Sequence, residues 1–242
     1  MSVRRVEFGD TPGGLGVRIA VVDSGIAVGH PHVGEVAHGW SFVDGDSSDT
    51  ADRIGHGTAV AAAIREKASW AELLPVRVLD RRLSTSARTL CAAIEWAAGQ
   101  NVRLINLSLG TTNEAHVPLF EAAVNVALKY GALVVSATGD EGGRWYPGSL
   151  PGVLGVVADP TCPRFSLGVG EWTLGPALAA SPLPRPIPGV VTERNLSGVS
   201  FAVGNATGLL ARILELESGV RTVADVMHWL HARAMSAPAD SI

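Results

Sequence analysis

Apolar residues fall along this chain in two alternating rhythms. Short β-branched and aliphatic runs at 17–22, 73–79, 102–107, 132–136 and 153–157 predict buried strands. Between them lie stretches with helical spacing: 56–68, rich in Ala; 83–99, with Leu90, Ala93, Ile94 and Ala97 on one face; and 118–130. Residues 201–217 are apolar with the same period. A last helix opens at Thr222, with Asp225 three residues on as a capping box and Val226, Met227 and Leu230 facing inward. Strands alternating with helices predict an α/β fold on a parallel sheet. The stretch 174–191, with Pro176, Pro182, Pro184, Pro186 and Pro188, reads as an extended surface connection. Core-like elements continue after it and no repeat is visible, so residues 1–242 are expected to form one domain.

Composition narrows this picture. With 47% hydrophobic residues the chain is no disordered segment, and 28 Gly point to tight turns and close backbone approach. No uninterrupted apolar run nears the roughly 18 residues of a membrane span, so no membrane partner is expected. Lys and Arg number 19 against 23 Asp and Glu, with no long run of either sign, so no nucleic-acid partner is expected either. The first residues, Met1-Ser2-Val3-Arg4-Arg5-Val6-Glu7, lack the apolar core of a secretory signal, and a cytoplasmic location is expected. Cys91 and Cys162 fit neither a metal spacing nor a disulfide framework, and Cys91 reads as core. His30-Pro31-His32 and the acids Asp44, Asp46, Asp49 and Asp52 match no metal motif and read as turn and solvated loop. No metal and no cofactor is expected.

Four segments carry candidate chemistry. Val21-Val22-Asp23-Ser24-Gly25 sets a carboxylate at the C-terminal end of a buried strand, the edge where open parallel sheets build sites. Taken alone, Asp23 equally suits an Asx turn. Gly55-His56-Gly57-Thr58 sets a His between glycines at a helix start, where backbone or substrate passes close to the imidazole. Asn195-Leu196-Ser197-Gly198-Val199-Ser200-Phe201 places Ser200 at a helix N-terminus, either as a cap or where free N–H groups favour developing negative charge. Ser108-Leu109-Gly110 and Ala137-Thr138-Gly139-Asp140 are strand ends running into small residues, suited to the two walls of a slot.

In the order Asp, His, Ser, these segments together resemble the subtilases, the subtilisin-like serine proteases. The resemblance spans about 200 residues, from 17 to 216, and includes Tyr146-Pro147-Gly148. It implies a three-layer α/β/α fold with a mainly parallel central sheet. It also implies a catalytic triad of Asp23, His56 and Ser200 acting through an acyl-enzyme on a peptide or protein substrate. An extended substrate pairs with Ser108, Leu109 and Gly110, while Ala137, Thr138 and Gly139 line the opposite wall of the first specificity pocket. The oxyanion hole falls to the Ser200 N–H and to position 140.

Departures from the family bear on function. Position 140 is Asp where the family usually has an Asn donor, so activity is expected to need a protonated Asp140 and to favour mildly acidic pH. Asp140 with Glu141 at the pocket mouth favours basic residues at the cleavage site. Val199, Phe201 and Gly204 replace the family's Thr, Met and Pro around the nucleophile, and Ala59 stands where a second His is common. The short connection from 68 to 73 leaves no room for the family's usual calcium loop. Only about 16 residues precede the first strand, so the folding prodomain is expected to be missing, its role open to a partner protein. Such a form is expected to process a peptide or protein precursor inside the cell. The alternatives are a peptide-binding pseudo-protease and a peptide macrocyclase or transpeptidase.

Overall fold

A computed structural model describes residues 3–43, 45–81, 84–140, 143–173, 175–191 and 195–236. In chain order these form β1 (Arg4–Glu7), β2 (Arg18–Asp23), β3 (Trp40–Ser41), α1 (His56–Lys67), β4 (Glu72–Arg77), α2 (Ala87–Ala98) and β5 (Leu104–Leu107). There follow α3 (Val117–Lys129), β6 (Leu133–Ala137), the short pair β7 (Gly139–Asp140) and β8 (Gly143–Arg144), and β9 (Val153–Ala158). The chain ends with β10 (Ser166–Trp172), β11 (Gly175–Ala180), α4 (Val199–Leu216), α5 (Val223–Arg233) and β12 (Met235–Ser236).

Period-two alternation along the buried strands sorts the core into two layers. Ile19, Val21, Leu73, Leu104, Leu133 and Val135 face α1, α4 and α5. Ala20, Val22, Leu74, Ile105, Leu107 and Val134 face α2 and α3. The main sheet runs β12-β1-β10-β11-β9-β6-β5-β2-β4-β3. From β11 to β3 neighbouring strands are parallel; β10, β1 and β12 add antiparallel pairings at one side. This is the three-layer α/β/α arrangement that the resemblance implies. The ends of β2, β5 and β6 lie side by side, which brings Asp23 next to the two proposed walls.

Helices α1 and α4 cross at close range on one face of the sheet. A Cβ on Gly208 would lie 2.7 Å from Lys67 Cβ and 2.8 Å from the Ile64 carbonyl, so only glycine allows this approach. Both helices begin at the C-terminal edge of the parallel strands, which is why His56 meets Asp23 and Ser200 meets Ser108 after β5. The capping box at α5 is present, Thr222 and Asp225 bonding reciprocally at 3.1 and 2.9 Å.

Three sequence expectations need correction. Within 174–191, Gly175–Ala180 is a strand pairing β9 and β10, with Ala177–Ala180 buried. Its Ala, Gly and Pro content hides it, because small residues suffice where two strands and α4 press close. Helix α2 starts at Ala87, not 83, because Ser86 caps it by accepting from Thr89 N–H at 3.0 Å. Helix α4 is, by length and apolarity, able to cross a membrane, against the reading of the apolar runs. Ser200, Asn205, Thr207, Arg212 and Glu215 interrupt the run without lowering its hydropathy enough, and 78% of the helix is buried inside the fold.

Candidate active site

Asp23 closes β2 with a fully buried side chain. Its Oδ1 accepts from Ser24 N–H at 2.7 Å and lies 2.7 Å from His56 Nδ1. That oxygen thus serves both the next backbone N–H and His56, and the bond to residue 25 that an Asx turn requires is not formed. Oδ2 has no hydrogen-bond partner among the described residues. With Nδ1–H donated to a carboxylate, His56 Nε2 is left as the basic nitrogen. The hydrogen bond to Asp23 raises the His56 pKa; burial opposes the rise, and the charges of Asp23 and Asp52 reinforce it.

The turn before α1 holds this geometry. A Cβ on Gly57 would lie 2.2 Å from the Gly25 carbonyl and 3.2 Å from Asp23 Oδ1, so any side chain there would force the helix away from the carboxylate. Asp52 Oδ1 accepts from Ile54 N–H, Gly55 N–H and the Ser24 hydroxyl, and Oδ2 from Thr58 N–H and its hydroxyl. Burial works against its ionisation, but those hydrogen bonds outweigh it and hold the carboxyl below its ordinary value. Asp52 is a residue that sequence reasoning read only as a loop acid. The signal was its position four residues before His56. Of its fellow loop acids, Asp49 pairs with Arg53 and Arg77, while Asp44 lies outside the described residues.

Ser200 occupies the first turn of α4, and Gly198 rather than Ser200 is the N-cap. A capping role is thereby excluded: Ser200 is the second residue of α4, where the backbone N–H has no acceptor within the helix. Ser200 Oγ donates to the Ser108 carbonyl at 3.4 Å, and Ser108 Oγ donates to the Ser200 carbonyl at 3.1 Å. Ser200 makes no hydrogen bond to His56; the imidazole ring instead lies 6.0 Å from the ring of Phe201, the next residue.

The two segments expected as walls follow adjacent strands, and Ser108 of the first bonds with Ser200. Ser108, Leu109 and Gly110 follow β5; Ala137 ends β6, and Thr138 and Gly139 continue it. Ser136 Oγ donates to the Leu109 carbonyl at 3.4 Å and ties the walls at their base. Trp145 joins them further out: its N–H donates to the Thr138 carbonyl at 2.8 Å, and its ring atom Cε3 is 3.8 Å from where a Cβ on Gly110 would sit. In the sequence only its place directly before Tyr146-Pro147-Gly148 marks Trp145 for this position. Beyond Leu109 and Gly110 a cavity of about 900 Å³ continues along the starts of α2 and α3. Asp140 has its backbone in β7, paired with Gly143, but its carboxyl lies outside the described side chains, as does Glu141 altogether. Among the described residues no group of three or more His, Cys, Asp or Glu side chains is placed to hold a metal.

A match to the subtilase family covers residues 14–240. The chain is 36% identical over 220 residues to the thermostable alkaline protease of Halalkalibacterium halodurans, covering 83% of this chain and 57% of that protein. It is 32% identical over 235 residues to thermitase of Thermoactinomyces vulgaris, covering 89% and 82%. The solved structure of sphericase superposes with a TM-score of 0.74 at 26% identity, covering 93% of this chain and 85% of that one.

Proposed function

Because this chain belongs to the subtilase family, we propose that it is a serine endopeptidase with Asp23, His56 and Ser200 as its triad. The observation that carries the reading is the 2.7 Å contact of His56 Nδ1 with the buried Asp23 carboxylate, in a chain whose Ser200 opens α4 beside it. His56 Nε2 takes the Ser200 proton as Oγ attacks a peptide carbonyl. Asp23 fixes the tautomer and stabilises the imidazolium. The oxyanion meets the Ser200 N–H at the positive end of α4, with Asp140 as the second donor when protonated. His56 then protonates the departing amine, and water resolves the acyl-enzyme by the same path. An extended acyl half adds as a strand along 108–110 and faces 137–139 across the slot.

The biological role we propose is processing of a peptide or protein precursor inside the cell. Labelling by a fluorophosphonate probe, lost in Ser200→Ala, tests the chemistry. Peptide-library digestion at pH 5.5 and 7.5 with the same control tests the role. Peptide binding without labelling at any pH from 5 to 9 would instead establish a pseudo-protease, the reading that Asp140 favours. Cyclic or ligated products would establish a transpeptidase.

A further inference from the structure

A second cavity, of about 460 Å³, lies at the start of α1, its lining including Gly55 and Thr58 on either side of His56 in the chain. It is built by the start of α1, the turn at 30–32 and the segments 184–187 and 195–196, with no contribution from 108–110 or 137–139. If the acyl half lies between the walls, the leaving half departs over His56 toward this cavity, since His56 must protonate its amine.

Its lining is largely aliphatic: Ala59, Ala62, Pro184, Ile187 and Leu196. Ile187 and Leu196 are 45% and 58% exposed, so apolar surface stands open beside the catalytic groups. The charge at its rim is one-sided. Arg185 donates to the His32 carbonyl at 2.9 Å and forms no ion pair among the described residues. Asp52 also lines the cavity, but both its oxygens already accept from the α1 turn and Ser24. Glu66 nearby is bound to Lys67 and Arg164. His30 Nδ1 accepts from His32 N–H, and burial together with Arg185 keeps the His32 pKa low, so Arg185 is the cation that a ligand meets.

We propose that this cavity binds the leaving half of the peptide substrate, taking an aliphatic side chain followed by a carboxylate that pairs with Arg185. The inference rests on the peptidase reading above. The carboxylate belongs either to an acidic residue or to the end of the peptide.

Internally quenched peptides with one acyl half and different leaving halves test it. Wild type is expected to cleave before Leu-Glu-amide with kcat/KM about fivefold above Leu-Lys-amide, the scale of a partly exposed ion pair. Arg185→Gln should bring the two to parity and Arg185→Lys should keep the preference, while Ile187→Ser should erase the advantage of Leu over Ala. A second pair, ending in Leu with a free or an amidated carboxyl, identifies the terminal carboxylate if only that pair responds to Arg185. Equal use of all leaving halves by wild type, or a preference unchanged in Arg185→Gln, overturns the proposal. Ser200-dependent hydrolysis of an acyl-alanine p-nitrophenyl ester, which has no peptide leaving half, reports separately on the peptidase reading. Calorimetric binding of the same peptides to Ser200→Ala reads the cavity without turnover; no discrimination there also overturns the proposal.

Discussion

A histidine serves as base only while neutral, and the hydrogen bond from His56 to Asp23 raises the pKa below which that capacity is lost. kcat/KM should therefore fall as pH drops through a value above the ordinary 6.5 of His. Asp140 acts in the opposite sense, since a carboxyl donates to an oxyanion only when protonated. Wild type should show a bell-shaped profile, and Asp140→Asn should keep the acid limb and lose the alkaline one. On the alkaline side the variant should gain about 10²-fold in kcat, the worth of one oxyanion donor. Profiles from pH 5 to 10 with the ester substrate decide this, and superimposable curves would refute the role of Asp140. Trp145 supports a prediction of another kind. Its peptide is tied to one wall and its ring edge abuts the other, so Trp145→Gly should open room for larger acyl-side residues. The gain for Phe over Ala should be about tenfold or more, given about 1.5–3 kcal/mol for burying such a side chain. Substrate pairs differing only in that residue measure it, and an unchanged ratio counts against the idea. The triad candidates were legible because each sits beside glycines in a fixed order. Trp145 and Asp52 were not, because they act through packing and backbone hydrogen bonds that spacing does not encode.

At the level of elements, β5 and α4 are joined by a buried polar chain that ends on the nucleophile. The Thr207 hydroxyl lies 2.9 Å from Asn106 Oδ1 and 2.8 Å from the Val203 carbonyl. Asn106 Nδ2 donates to Ser108 Oγ at 3.1 Å, and that hydroxyl donates to the Ser200 carbonyl. Asn106 and Thr207 are fully buried, so water cannot replace a lost partner. Thr207→Val preserves shape but leaves Asn106 Oδ1 unpaired, which should cost about 1–3 kcal/mol in denaturant unfolding. Asn106→Ala should lower kcat more than it changes KM, because it frees Ser108 and with it the first turn of α4. A kcat equal to wild type in Asn106→Ala would show that the chain is only structural. Periodicity revealed the strands that this chain crosses and the helix that receives it. It did not reveal β1, β10 or β12, whose antiparallel edge pairings depend on distant segments, nor β11, whose small residues carry no strand signal.

At the scale of the whole molecule, the most deeply buried cation among the described residues bears on stability. Lys67, at the end of α1, has no exposed side-chain surface. It binds the Glu66 carboxylate, which also binds Arg164, and its ammonium lies 4.5 Å from the centre of the Phe165 ring. Here α1, α4 and the turn before β10 converge, so the cost of this charge falls on global stability. Burial lowers the Lys67 pKa to about 8; Glu66 opposes the change and Arg164 and Arg185 reinforce it. Between about pH 8 and the ordinary 10.5 the unfolded chain binds more protons at this site, so the Lys67 contribution to stability rises with pH. Below pH 8 the penalty is complete, about 3 kcal/mol. Cys91 and Cys162 act against this from pH 9 upward: burial raises both thiols to about 11, so only the unfolded chain ionises there and stability falls. The raw curve for wild type therefore mixes both signs, and the Lys67 term must be read as a difference. Lys67→Met keeps the stem and removes the charge, while the cysteine terms cancel between the two proteins. Denaturant unfolding at pH 7, 8, 9 and 10 should show Lys67→Met more stable than wild type at pH 7, with that advantage shrinking as pH rises. A constant difference across this range would mean that the ammonium is fully compensated by Glu66 and carries no pH-dependent cost.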